Sequence, residues 1–319
     1  MIIRIQTFPE MMLEFRFKMG EKEIELPIRW TGLDNFFAFE PPEVLYHYTD
    51  LTGANGIITS KSLRMTKIQY LNDDSELKYG INMFRDAVQN VSREMPDSER
   101  KDFLKTTAQQ LDSFVNTNVC VASFCEDGNL LSQWRAYGGS RSGIAIGFSR
   151  ESLRKILSAG SMNLWKCVYD TKSQYEIIHN LIDHLLRSYD TILEYRNYCE
   201  DWGRLKQGLI TFFNTTFLRI SPILKNGHFR EEREWRIITT PVDCRNNCYS
   251  AYVSNERVLQ YLTLGFLISE DGQFDILDEI VVGPCKDAYL VSDALSVLLL
   301  HNKYSHRSIR LSLIPYTGK

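Results

Sequence analysis

Glu232 and Glu234 stand two residues apart, just ahead of the run Trp235-Arg236-Ile237-Ile238. Read as an extended segment, the two carboxylates share one face while Arg233 and Trp235 take the other. Like charges held close raise the pKa of one member. Such a pair can divide its work, one group stabilising developing positive charge and the other drawing a proton from an attacking group. The competing reading is a strand end whose acids pair with Arg230, Arg233 or Arg236.

Three further places carry chemistry-bearing residues. His47, between Tyr46 and Tyr48 at the end of an apolar run, can donate to a ligand hydroxyl while keeping a backbone partner, or can be structural. Ser123-Phe124-Cys125 leaves a buried strand, and Trp134, Arg135 and Tyr137 follow on a short helix. Trp134 and Tyr137, three apart, share a helix face and form either an aromatic wall or ordinary core, while Arg135 points elsewhere and can meet a phosphate. Ser132 lacks a GxSxG setting and is a poor nucleophile. Cys244 and Cys248 are four apart, but no nearby pair completes a zinc site, so no metal is expected.

The elements that must position these residues follow from periodicity. MIIRIQTF, MMLEFRF and EIELPIRW alternate as short strands in a β-rich preface, residues 1–40, with a turn at Lys18–Lys22 and an end at Pro41 and Pro42. The main domain spans 41–319. Strands are expected at Val44–Tyr48, Leu63–Gln69, Val119–Phe124, Gly143–Phe148, Trp165–Tyr169, Trp235–Thr239, Glu279–Val282 and Ser308–Ile314. Asp73 with Glu76 resembles a capping box opening a helix from Ser75 to about Val91, and another helix covers Lys101 to Phe114. Within about 171–225, Ile178, Leu181, Ile182, Leu185 and Leu186 mark one helix and Leu205, Leu209, Phe212, Phe213 and Phe217 a second, forming a helical insertion. A last helix runs from Asp287 to about His301. The pattern predicts an α+β fold, a split or curved sheet with surrounding helices, over a doubly wound parallel one; GxGxxG and GxxxxGK[ST] are missing.

The 319 residues carry 44% hydrophobic and 24% charged side chains and a formal charge of -3, ordinary globular usage without the cationic excess of a broad phosphate-binding surface. No apolar run is long enough to span a bilayer, and the opening residues do not read as a signal peptide. Seven cysteines do not make a disulfide framework. A cytoplasmic location without membrane association is expected.

The segments YHYTDLTGANGIITSKSL, ASFCEDGNLLSQWRAYGG with GIAIGF, and HFREEREWRII resemble a bacterial family of unknown function, DUF2971, over roughly residues 44–285. More remotely they are similar to ADP-ribosyltransferases, which implies an ADP-ribosyltransferase-like split sheet and NAD as substrate. By that resemblance His47 bonds the adenosine-side ribose with Thr49 beside it, the Ser123 region supports the site, and Tyr137 or Tyr70 stacks on nicotinamide. Trp134 and Arg135 complete the NAD contacts. Glu234 bonds the nicotinamide ribose 2′-hydroxyl, and Glu232 assists the acceptor. The implied reaction is transfer of ADP-ribose to a protein or nucleic-acid acceptor, as in bacterial toxins and antiviral effectors. NAD hydrolysis, an RNA 2′-phosphotransferase-like reaction and a non-catalytic sensor or interaction module are the alternatives.

Overall fold

The computed structural model describes residues 2–6, 11–19, 22–30, 34–71, 75–114, 118–138, 142–158, 162–254, 257–267, 276–304 and 308–315. The chain opens with β1 (Ile2–Gln6), β2 (Met11–Met19), β3 (Lys22–Trp30), α1 (Asp34–Phe37), β4 (Val44–Asp50), α2 (Leu51–Ser60), β5 (Ser62–Lys67), α3 (Ser75–Glu94) and α4 (Glu99–Phe114). It continues with β6 (Cys120–Cys125), α5 (Leu131–Tyr137), β7 (Gly143–Ser149), α6 (Arg150–Ser158), β8 (Met162–Lys166), α7 (Thr171–Leu193) and α8 (Trp202–Ile220). A 3-10 turn at Gly227–Glu232 leads into β9 (Glu234–Thr239), followed by β10 (Tyr249–Ser254), β11 (Arg257–Gly265), β12 (Leu277–Val282), α9 (Ala288–His301) and β13 (Ser308–Leu311).

These elements gather into two units. The first takes residues from three stretches, Met1–Phe39, Leu71–Val119 and Val168–Gly227, and so holds both the preface and the helices of 171–225. Its strands form an antiparallel meander, β1-β2-β3. Alternation turns Leu13 and Phe15 of β2 and Leu26, Ile28 and Trp30 of β3 inward. Trp30 packs edge-on against Phe212 and Phe213 of α8, and its indole N–H donates to Ser188 Oγ on α7. Asp170 caps α7 by accepting from the Ser173 N–H, and Asp201 caps α8 by accepting from the Arg204 N–H.

The second unit, Glu40–Tyr70, Cys120–Cys167 and His228–Lys319, holds a large mixed, open sheet. Its strand order is β10-β11-β5-β6-β4-β7-β12-β13, with β9 joining β6 to β8. All pairs are antiparallel except β12 with β13. One face carries Leu45, Phe124, Ile146 and Trp235 beneath α2, α6 and α9. The other carries Tyr48, Cys125, Ala145 and Val281 against Trp134 of α5. This is an α+β arrangement in which helices cover a non-closed sheet.

The sheet divides at β6. One edge of β6 is paired with β9 from Val121 to Cys125. Its other edge is shared: β5 pairs at Cys120 and Val121, and β4 takes over only at Cys125. Between those contacts β4 and β5 diverge, leaving a fork beside Ala122–Phe124.

Periodicity did not mark β10, β11 or α6. The burial of β11 is only partial along most of its length, which blurs its alternation, and α6 buries only Leu153 and Ile156. The Asp73–Glu76 capping box and the Lys18–Lys22 turn rest on residues outside those described. Among the described residues no helix is long and apolar enough to cross a membrane.

Candidate functional site

The fork at β6 sets the surroundings of His47. With neither β4 nor β5 paired to β6 at Ser123, the Ser123 carbonyl needs a donor from elsewhere. His47 Nδ1 lies 2.9 Å from it. A carbonyl can only accept, so Nδ1 carries the proton and Nε2 is the bare nitrogen. Desolvation lowers the pKa of the ring more than the carbonyl contact raises it, which keeps His47 neutral. The imidazole thus ties β4 to β6 where the ladder is interrupted.

Glu234 opens β9 opposite Cys125 and is almost wholly buried. Its Oε1 accepts from Arg236 Nε at 2.8 Å and its Oε2 from Arg236 Nη2 at 3.0 Å. Residues two apart on a strand share a face, so the guanidinium reaches back to the carboxylate in a two-bond fork. Cys167 Sγ lies 3.9 Å from Oε2. Arg236 is buried as deeply, so the two form a desolvated ion pair.

The paired-carboxylate geometry expected from an extended Glu232-Arg233-Glu234 does not form. Glu232 closes the 3-10 turn, Arg233 takes a left-handed conformation with φ 40, and the strand begins only at Glu234. A left-handed residue breaks the alternation that would place both acids on one face. Arg233 is held in that conformation beside Asp127, 3.5 Å away, and Glu126, 4.0 Å away.

Register also separates His47 from Glu234. Directly opposed residues share a face, and Cys125 opposes both Tyr46 and Glu234, so Tyr46, Cys125 and Glu234 lie on one side. His47, the next residue, lies on the other, where its ring contacts Phe124 at 5.9 Å. Thr49 follows on the His47 side and is partly exposed. Ser123 opposes Arg236 and so belongs to the Glu234 face.

The remaining expected contacts scatter. Trp134 is 3% exposed and meets Tyr48 edge-on at 4.7 Å, whereas Tyr137 is 39% exposed, so the two do not form one wall. The Trp134 indole N–H donates to Asn129 Oδ1. Gly143 and Gly283 let their backbones lie against the Trp134 ring, since a Cβ at either would come within 2.7 to 2.9 Å of it. Arg135 is exposed, and Tyr70, in the 3-10 turn after β5, is also exposed.

Pattern reading passed over a second charged group on this unit. Glu126 Oε1 accepts from Lys166 Nζ at 2.7 Å and from the Trp235 indole N–H at 3.0 Å. Burial pushes its carboxyl pKa up, but Lys166, Trp235 and Arg233 together hold it below the usual range. Glu279 likewise accepts from Tyr46 Oη at 2.6 Å and Arg310 Nη2 at 3.1 Å. Desolvation and this carboxylate drive the Tyr46 phenol far above its ordinary pKa. Neither cluster has a local spacing signal, because its members come from distant strands. Among the described residues no group of three His, Cys, Asp or Glu side chains is placed to hold a metal, and Cys244 and Cys248 are exposed thiols.

Comparison with curated proteins finds no match, and comparison with solved structures finds none either. Residues 133–237 match the model of a family described as a protein of unknown function, DUF2971. The matched stretch is narrower than residues 44–285; it takes in most of α5 and Glu234 and leaves out His47.

Proposed function

We propose that the chain is a non-catalytic binding module in which the polar residues around the fork are structural ties. The observation that carries this reading is the register of β4, β6 and β9. It sets His47 and Glu234 on opposite faces, with His47 bonded to the Ser123 carbonyl and Glu234 to Arg236. A catalytic pair instead needs both groups to face one reacting centre. A protein partner is supported by α9, which buries Leu295 and Leu299 on its inner face yet exposes Leu290 and Leu300, 70% and 75% accessible, with Val297 between them. Such an exposed apolar stripe favours contact with another apolar protein surface.

The test is incubation of the intact protein and Glu234→Gln with NAD labelled in both halves, following free nicotinamide and label on macromolecules. The expected result is no release and no labelling by either protein. Release that Glu234→Gln abolishes overturns the reading.

A second reading, NAD-dependent ADP-ribosyl transfer or NAD hydrolysis, is favoured by the division of the sheet at β6 with His47 in the fork. In that chemistry a carboxylate beside the ribose stabilises an oxocarbenium-like centre more strongly in the transition state than in the ground state. Glu234 would first have to exchange Arg236 for the ribose. Label on a macromolecule in the same experiment identifies transfer, and free ADP-ribose identifies hydrolysis.

A further inference from the structure

The first unit holds a basic groove that none of the foregoing uses. Helices α3 and α4 form a hairpin that flanks an open surface groove of about 450 Å³. Arg85, Ser92 and Arg93 line it from α3, and Lys101 and Lys105 from α4, against the single acid Asp86. The spacing puts these groups on facing helix stripes, since residues three, four and seven apart share a face.

Two of the cations are already neutralised. Arg85 pairs with Asp112, and Lys101 lies 2.8 Å from Asp97. The other two have no contact ion pair among the described residues. Arg93 is held only by the amide oxygens of Asn90 and Gln89, at 3.3 and 3.4 Å. Lys105 acts on Asp97 through space, without a contact bond.

Ser92 is the second, independent observation. It is 3% exposed, lines the groove, and its hydroxyl has no partner. Two other buried helical hydroxyls of this unit, Thr107 and Ser188, return to the carbonyl one turn back, at Phe103 and His184. A buried hydroxyl without a partner is costly unless something else satisfies it.

We propose that this groove binds a small organic diphosphate, of the nucleoside diphosphate class, with its phosphates between Arg93 and Lys105 and one phosphate oxygen accepting from Ser92 Oγ. Two cations suit the charge of a diphosphate, and the volume lies in the range of small-molecule sites. The inference concerns the first unit alone and does not rest on the reading of the fork.

Calorimetric titration of the full chain with pyrophosphate, ADP and adenosine tests it. Pyrophosphate and ADP are expected to bind, more weakly as salt rises, and adenosine is not. Arg93→Ala and Lys105→Ala are each expected to weaken ADP about tenfold. Ser92→Ala is expected to weaken ADP while leaving the unliganded protein at least as stable, which a merely structural hydroxyl would not do. Silence with both phosphates at millimolar concentration overturns the proposal. So does ADP binding unchanged in the Arg93→Ala, Lys105→Ala double variant, which places the ligand elsewhere. Binding of a single-stranded oligonucleotide that pyrophosphate does not displace, with no ADP binding, also overturns it in favour of a nucleic-acid surface.

Discussion

Glu234 and Arg236 form a two-bond ion pair on one face of β9, the carboxylate 4% and the arginine 2% exposed. Removing one partner of such a pair strands a buried charge. Arg236→Ala is expected to cost about 3–5 kcal/mol. Replacing both residues with apolar ones of similar volume is expected to recover most of that loss. Urea unfolding of the single and double variants checks both, and an Arg236→Ala protein as stable as the parent would show that the pair is dispensable.

His47 makes stability depend on pH in a defined direction. Its folded pKa lies below the ordinary 6.5, so the unfolded chain binds the proton first. The contribution is therefore complete above about pH 6.5 and declines as pH falls toward the folded pKa, with a slope of at most about 1.4 kcal/mol per pH unit. His47→Gln is expected to flatten the stability profile between about pH 6.5 and 5, a window above the range where ordinary carboxylates titrate. Parallel profiles for the two proteins would remove His47 as the source.

Trp134 and Tyr137 are expected to behave oppositely although both lie on α5. Trp134→Ala empties the space between Tyr48, Gly143 and Gly283 and is expected to cost about 3–5 kcal/mol. Tyr137→Ala, at the surface, is expected to stay within about 0.5 kcal/mol of the parent. Thermal or denaturant unfolding separates them.

The outer face of α9 supplies a prediction about association. Leu290→Glu and Leu300→Glu are expected to change unfolding stability by no more than about 0.5 kcal/mol, because neither side chain is buried. Leu299→Glu, pointing inward, is expected to unfold the domain. If the exposed face receives a protein partner, the outward variants lose that partner while keeping the parent's circular dichroism spectrum.

Much of the architecture was legible along the chain. Short apolar runs located β4, β6, β7 and β9, the last three buried on both faces of the sheet, and helical spacing located α7 and α8, which bury one side. The pairing of Glu234 with an arginine was also within reach: Arg236 is two residues on and must share its face in a strand. What spacing could not reveal was the left-handed Arg233, which takes Glu232 out of the strand.

By itself, the sequence determined the α+β class, the main strands and helices and the candidate charged residues, since these follow from side-chain type and near-neighbour periodicity. Tertiary structure alone decided which of them meet. The fork at β6 depends on pairing Cys125 with Tyr46, while Cys120 and Val121 pair with β5. Those contacts join segments more than fifty residues apart, and a shift of one residue in the β4–β6 or the β6–β9 register would turn His47 to the Glu234 face. Strand register is set by the packing of the whole core, so the separation of these two groups was written in no local pattern.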